Sequence, residues 1–116
     1  MAGTGLCHIA LKTQDLAETV AFYTGVLGLK VAFRQPPGMI FLTTPGSNDL
    51  LNFVKSAKAA SGSQGLDHIG FKVTRAALKR MEQTLNKSNV AIEGRRGKNA
   101  IYISDPNGYQ IEFFCD

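Results

Sequence analysis

The chain has 116 residues, 44% of them apolar, which is enough for one domain with a core and too apolar for a disordered chain. Thirteen Lys and Arg against nine Asp and Glu give a net charge of +4 and a pI of about 9.3. The basic residues are scattered and no basic run is interleaved with stacking aromatics, so the composition argues against nucleic acid and reads as a solvated surface that favours anionic ligands. No apolar run approaches the ~18 residues of a membrane span, and the first residues lack the basic and apolar regions of a secretory leader. Cys7 and Cys115 make no disulfide framework and read as buried small hydrophobes, so a cytoplasmic, reducing location and no membrane partner are expected.

Gly5 to Lys12 reads as a strand, and it returns sixty positions later as Gly65 to Lys72 with Gly, Leu, His, Ile and Lys in register. The sequence holds only two histidines, His8 and His68, and both fall at the same place in this repeat. After the first copy, Asp15-Leu16-Ala17-Glu18 is a capping pattern, Leu16, Val20, Tyr23 and Leu27 recur at helical spacing, and Gly25 and Gly28 offer a stop. Strands are expected at Leu29–Arg34, Met39–Thr43 and Leu50–Val54, separated by Pro- and Gly-rich turns. Residues 57–64, rich in Ala, Ser and Gly, read as a linker. After the second copy, Thr74 can cap a helix with Leu78, Met81 and Leu85 on one stripe, ending at Asn86 to Asn89. Strands are expected at Val90–Glu93, Ala100–Ser104 and Tyr109–Cys115, with turns at Gly94–Gly97 and Asp105–Gly108. The pattern predicts an α+β chain of two βαβββ repeats, residues 5–56 and 65–116 of a single domain (1–116), whose strands form a curved, partly open barrel-like sheet with the helices outside.

Side chains alternate across a strand. In the first strand Cys7, Ile9 and Leu11 share a face, leaving His8 and Ala10 on the other. In its repeat Ile69, Phe71 and Val73 oppose His68 and Gly70. The apolar faces are expected against the helices. In the last strand Gln110, Glu112 and Phe114 fall on the histidine side, as does Tyr102 in the strand before it. A glutamate on such a face is costly unless it is paired or bound to metal. Two imidazoles and one carboxylate suit a divalent transition metal, so His8, His68 and Glu112 are the candidate ligands. Other readings exist for each residue: Glu112 as a partner of Arg95 or Arg96, and Tyr102 as a packed aromatic with a wet hydroxyl.

The runs 5–10, 21–29, 65–71 and 104–113 together resemble the vicinal oxygen chelate superfamily, which includes glyoxalase I, extradiol dioxygenases, fosfomycin-inactivating thiol transferases, methylmalonyl-CoA epimerases and bleomycin-resistance proteins. The resemblance spans nearly the whole chain. It implies metal ligands on the first strand of each repeat and on the last strand, positions held here by His8, His68 and Glu112. A further ligand position, a carboxylate in glyoxalase I, corresponds to Asn52. Three ligands with open positions make a 2-His-1-carboxylate site, which favours Fe(II) or Mn(II), with Zn, Ni or Co as alternatives. The metal would act as a Lewis acid on a bidentate oxygen substrate.

The resemblance separates activities poorly. Asn52 counts against glyoxalase I. No third histidine is present to serve ring cleavage, so Tyr102 or a water would take that role, and Tyr102 and Glu112 are the candidate catalytic residues. Thiol transferases carry anion-binding residues past the last strand, whereas this sequence ends four residues after Glu112. Asn52, Arg95, Arg96 and Phe114 are candidate substrate contacts, the arginines as an anion clamp or as plain surface charge. Two classes stay open: a metal-dependent lyase, dioxygenase or transferase, and a protein that sequesters a small molecule without turnover, as drug-resistance relatives do. Family members of this length resemble homodimers, so His8 of one subunit would join His68 and Glu112 of its partner.

Overall fold

Asp15 starts the first helix: its carboxylate accepts a hydrogen bond from the Glu18 backbone N–H at 2.9 Å, which satisfies one of the free donors of the first turn. The chain is described from a computed structural model that covers residues 3–58 and 65–116. It divides into two compact units, Met1–Ala59 and Ala60–Asp116. Of the expected linker, residues 59–64 lie outside the described residues.

In the first unit, β1 (His8–Thr13) leads into α1 (Leu16–Ala21), then β2 (Lys30–Gln35), β3 (Met39–Thr43) and β4 (Leu50–Lys55). The sheet order is β1-β4-β3-β2, with β1 parallel to β4 and the other pairs antiparallel. Parallel pairing of the first and last strands is what a helical crossover allows. Tyr23 and Phe53 are fully buried with ring centroids 5.0 Å apart, joining the helical segment to β4. The buried hydroxyls of Thr13 and Thr19 satisfy one another at 2.8 Å.

The second unit repeats this plan. β5 (Ile69–Lys72) precedes α2 (Arg75–Lys87), then β6 (Gly94–Arg96), β7 (Ala100–Ser104) and β8 (Gln110–Phe114), in the order β5-β8-β7-β6. Thr74 caps α2 by accepting from the Ala77 N–H at 3.1 Å, and Leu78 and Leu85 are buried. Ile101, Ile103, Ile111 and Phe113 fill the unit's core. Each half is thus a βαβββ unit, and neither four-stranded sheet closes on itself. Among the described residues no helix is long and apolar enough to cross a membrane.

Three expectations are corrected. The first helix stays α-helical only to Ala21. Phe22–Val26 widens to a π-helical turn, with the Leu27 N–H reaching the Phe22 carbonyl at 3.2 Å. The widening keeps Tyr23 and Leu27 buried, and Gly28, at φ +82°, makes the exit rather than Gly25. The strand expected at Val90–Glu93 lies instead at Gly94–Arg96, where a turn was expected. The register decides this: Arg96 pairs Ala100 and Gly94 pairs Tyr102 across a tight turn, in which Gly97 sits at φ +58°. Cys7 is exposed, because it precedes the pairing of β1 with β4; only Cys115 is buried.

Asp49 secures the turn before β4. Its carboxylate accepts from the Thr44 N–H at 2.8 Å and from the Thr44 and Thr43 hydroxyls at 2.7 and 3.0 Å. Partial burial pushes its pKa up, but these hydrogen bonds outweigh it and hold the carboxyl below its ordinary value. A folded-state pKa below the unfolded one gives stability above the unfolded value that is lost as pH falls through the folded value. Asp49→Ala is expected to cost about 1 kcal/mol at neutral pH, discounted for solvent exposure. The difference from the parent should vanish in acid. Urea melts across pH 2–7 measure both; a cost that persists unchanged at the acid end would contradict the assignment.

Candidate functional site

Strand parity sets out the two candidate faces. In the first unit His8 and Ala10 of β1 share a face with Asn52 of β4 and Phe41 of β3, since Ala10 pairs Asn52 and Asn52 pairs Phe41. Phe33 of β2 continues that face and stacks on Phe41 with centroids 4.4 Å apart. His8 meets the Phe41 ring edge-on at 5.5 Å. Asn52 is 3% exposed, and its Oδ1 is a buried acceptor with no partner among the described residues. A buried acceptor without a donor is unfavourable, and sites that take a ligand or a water leave such atoms.

In the second unit the corresponding positions carry charge. Gly70 pairs Glu112, and Glu112 pairs Tyr102, just as Ala10 pairs Asn52 and Asn52 pairs Phe41. Glu112 is therefore the counterpart of Asn52. It is 7% exposed, and its two oxygens have different partners. Oε1 lies 3.1 Å from His68 Nε2. Oε2 accepts from the Tyr102 hydroxyl at 2.8 Å and from an Arg96 guanidinium nitrogen at 3.3 Å. On its other side the His68 ring places Nδ1 2.7 Å from an Asp67 carboxylate oxygen. Gly70 matters by having no side chain: a Cβ there would stand 3.4 Å from the Phe114 ring and 3.5 Å from Glu112 Oε1. Anything larger would press on both.

The electrostatics follow from these contacts. Burial pushes the Glu112 carboxyl up, but the hydrogen bonds of Tyr102 and Arg96 and the charges of His68 and Arg96 bring it below its ordinary value. The Asp67 hydrogen bond, against slight desolvation and with Glu112 assisting, holds the His68 pKa above its ordinary value. At neutral pH Glu112 is an anion able to bind a cation through Oε1 without losing the partners of Oε2.

Of the candidates named from sequence, His68, Tyr102, Glu112, Arg96 and Phe114 share one face of the second unit. His8 and Asn52 share the corresponding face of the first. Arg95 does not belong with them. It lies on the opposite face of β6 and pairs with Glu82 of α2 at 2.8 Å, because adjacent strand residues point to opposite sides. Within neither unit, among the described residues, do three His, Cys, Asp or Glu side chains gather as a metal site would need. Asp67 escaped the sequence reading, although its place directly before His68 was the available signal.

The sequence matches the Glyoxalase/Bleomycin resistance protein/Dioxygenase superfamily over residues 5–113. The metallothiol transferase FosB of Lysinibacillus sphaericus (strain C3-41) is 29% identical over 111 residues, covering 91% of this chain and 78% of that protein. The metapyrocatechase of Geobacillus stearothermophilus is 30% identical over 117 residues, covering 96% of this chain and 34% of that longer protein. Among solved structures, a mutant of the fosfomycin resistance protein FosX from Listeria monocytogenes, complexed with Mn(II) and 1S,2S-dihydroxypropylphosphonic acid, has the same fold. Its TM-score is 0.78 at 17% identity, with 96% of this chain and 89% of that one covered. With the family model matched over residues 5–113 and a βαβββ unit in each half, the chain belongs to the Glyoxalase/Bleomycin resistance protein/Dioxygenase superfamily.

Proposed function

We propose that the chain is a divalent-metal-dependent enzyme acting on a small oxygen-chelating substrate, with His8, His68 and Glu112 as the protein ligands. The observation that carries this reading is the approach of His68 Nε2 and Glu112 Oε1 to 3.1 Å on one sheet face, with the remaining polar atoms of both groups already partnered. An imidazole and a carboxylate so disposed fit a transition metal, and a second imidazole from His8 completes a set that favours Fe(II) or Mn(II). The names of the relatives support it: metallothiol transferase, metapyrocatechase, and a FosX complexed with Mn(II). The bound ion would supply Lewis-acid polarisation of a substrate oxygen.

The chain's own residues then have distinct tasks. Tyr102 donates a hydrogen bond from its hydroxyl to Glu112 Oε2 and so steadies the carboxylate; released from it, the same hydroxyl can donate to a substrate oxygen. Arg96, whose guanidinium is tied to Glu112 by one bond, has donors left for an anionic substrate group. Phe114 lies on the same strand face against Gly70, and the free Asn52 Oδ1 can accept from a substrate or water donor.

We further propose that the site is shared in a homodimer, with His8 from one subunit and His68 and Glu112 from the other. The position of His8 in the first unit and of His68 and Glu112 in the second is compatible with it, as is the twofold symmetry usual in homodimers.

Substituting His8 or His68 by Ala should remove most bound Mn(II) in equilibrium titrations; unchanged binding in both would refute the ligand set. Refolding a mixture of His8→Ala and His68→Ala chains should restore about half the sites in the mixed dimers, each of which regains one complete set. Verified mixed dimers that bind no metal would exclude sharing. Tyr102→Phe removes a donor that lowers the Glu112 pKa, so protons should compete with metal at higher pH. Mn(II) affinity should fall about tenfold, most at pH 6 and least at pH 8. Turnover of the metal-loaded protein on hemithioacetals, catechols or epoxides would separate an enzyme from a sequestering protein, and binding without turnover on all three classes would favour the latter.

A further inference from the structure

The repeat supplies an internal control for the two histidines. Asp67 precedes His68 as Cys7 precedes His8, at matching positions. Asp67 Oδ2 stands 2.7 Å from His68 Nδ1. The His8 ring makes only its edge contact with Phe41, and nothing among the described residues hydrogen-bonds it. The same strand, with the same histidine, is therefore anchored in one repeat and left free in the other.

A neutral imidazole has one N–H donor and one lone-pair acceptor, while a carboxylate only accepts. His68 lies between two carboxylates and can give its single proton to one of them. The contact to Asp67, at 2.7 Å, is shorter than the 3.1 Å contact to Glu112, so in the neutral ring we assign the proton to Nδ1. That leaves the Nε2 lone pair directed to the side where Glu112 Oε1 lies. A metal ligand needs that arrangement, because the nitrogen that binds must carry no proton and the other N–H must be held for the ring to keep its orientation.

We propose that Asp67 is a positioning residue that fixes the tautomer and ring orientation of His68, so that the second unit presents a prepared ligand pair while His8 stays an unanchored arm. This rests on the metal-site reading above. The Asp67 side chain is 92% exposed, so its bond to His68 adds little to stability. Choosing between two tautomers of one ring needs little energy, and a weak surface contact is enough for that. Exposure also means that Asp67 can be replaced without disturbing the core. Cys7, whose thiol is a weak acceptor, cannot do the same for His8.

The test compares the parent with Asp67→Ala and Asp67→Asn. Asn keeps an oxygen that can accept from Nδ1–H but carries no charge. Long-range proton–nitrogen correlation spectra of the metal-free proteins, recorded at alkaline pH where the imidazoles are neutral, report which His68 nitrogen carries the proton. Mn(II) alone is then titrated into each protein. The expected result is an Nδ1–H tautomer in the parent and Asp67→Asn, and an Nε2–H tautomer in Asp67→Ala. Mn(II) affinity should fall roughly 10- to 100-fold in Asp67→Ala and be largely rescued in Asp67→Asn. The His8 tautomer should not change in any of them. If His68 keeps its tautomer in Asp67→Ala, the anchor is overturned. If the tautomer switches and Mn(II) affinity does not, the anchor exists but does not position a ligand, and the proposal is overturned on that count. A parent that binds no Mn(II) would sink the metal reading, while the tautomer arm would still decide whether Asp67 orients the ring.

Discussion

A buried carboxylate must find partners, and the second unit is arranged around meeting that need for Glu112. Leaving such a charge unpaired would cost several kcal/mol on the order-of-magnitude scale for buried ions. Tyr102 stands directly across the ladder from it, Arg96 reaches it from the edge strand, and His68 Nε2 lies 3.1 Å from the other oxygen. All of these side chains share the face of Glu112. The same alternation puts Arg95 on the far side with Glu82. One carboxylate thus accounts for where three polar side chains lie, and it leaves Oε1 and the His68 Nε2 converging on the same side.

The first unit shows what the frame looks like without that charge. Asn52 takes the place of Glu112, and Phe41 takes the place of Tyr102. The face becomes an aromatic surface, with Phe33 stacked on Phe41 and His8 against its edge. Strand order and pairing are the same in both units, so on these faces the difference lies in the side chains. The duplicated strands give two equivalent frames, one furnished with charge and hydrogen-bond donors and the other with rings and a single buried amide.

Much of this was legible because the signals are periodic. A two-residue alternation placed His8, His68, Glu112, Tyr102 and Phe114 on their faces, and the sixty-residue repeat paired the histidines. What the pattern missed was set by geometry that has no local signature. The strand at Gly94–Arg96 exists because β7 needs a partner immediately across its turn, whereas Val90 and Ile92 only looked more strand-like. The π-helical turn at Phe22–Val26 answers to the burial of Tyr23 and Leu27 rather than to a breaker residue. Cys7 looked like core by parity but stands outside the paired part of β1. Reaction type was not legible at all: relatives of nearly equal identity bear the names of a thiol transferase and a metapyrocatechase. The residues that would decide between such chemistries lie around the shared frame, not within the motifs that identify it.

The central claim is that a divalent ion is held by two imidazoles, one from each repeat, together with Glu112. Pulsed electron paramagnetic resonance of the Mn(II)-loaded protein, prepared with 15N-labelled histidine, reads this directly, since the two histidines are the only labelled sites. The account predicts couplings from two histidine nitrogens on each Mn(II). Mn(II) bound tightly with no histidine nitrogen coupling, or with couplings that neither His8→Ala nor His68→Ala reduces, would contradict it.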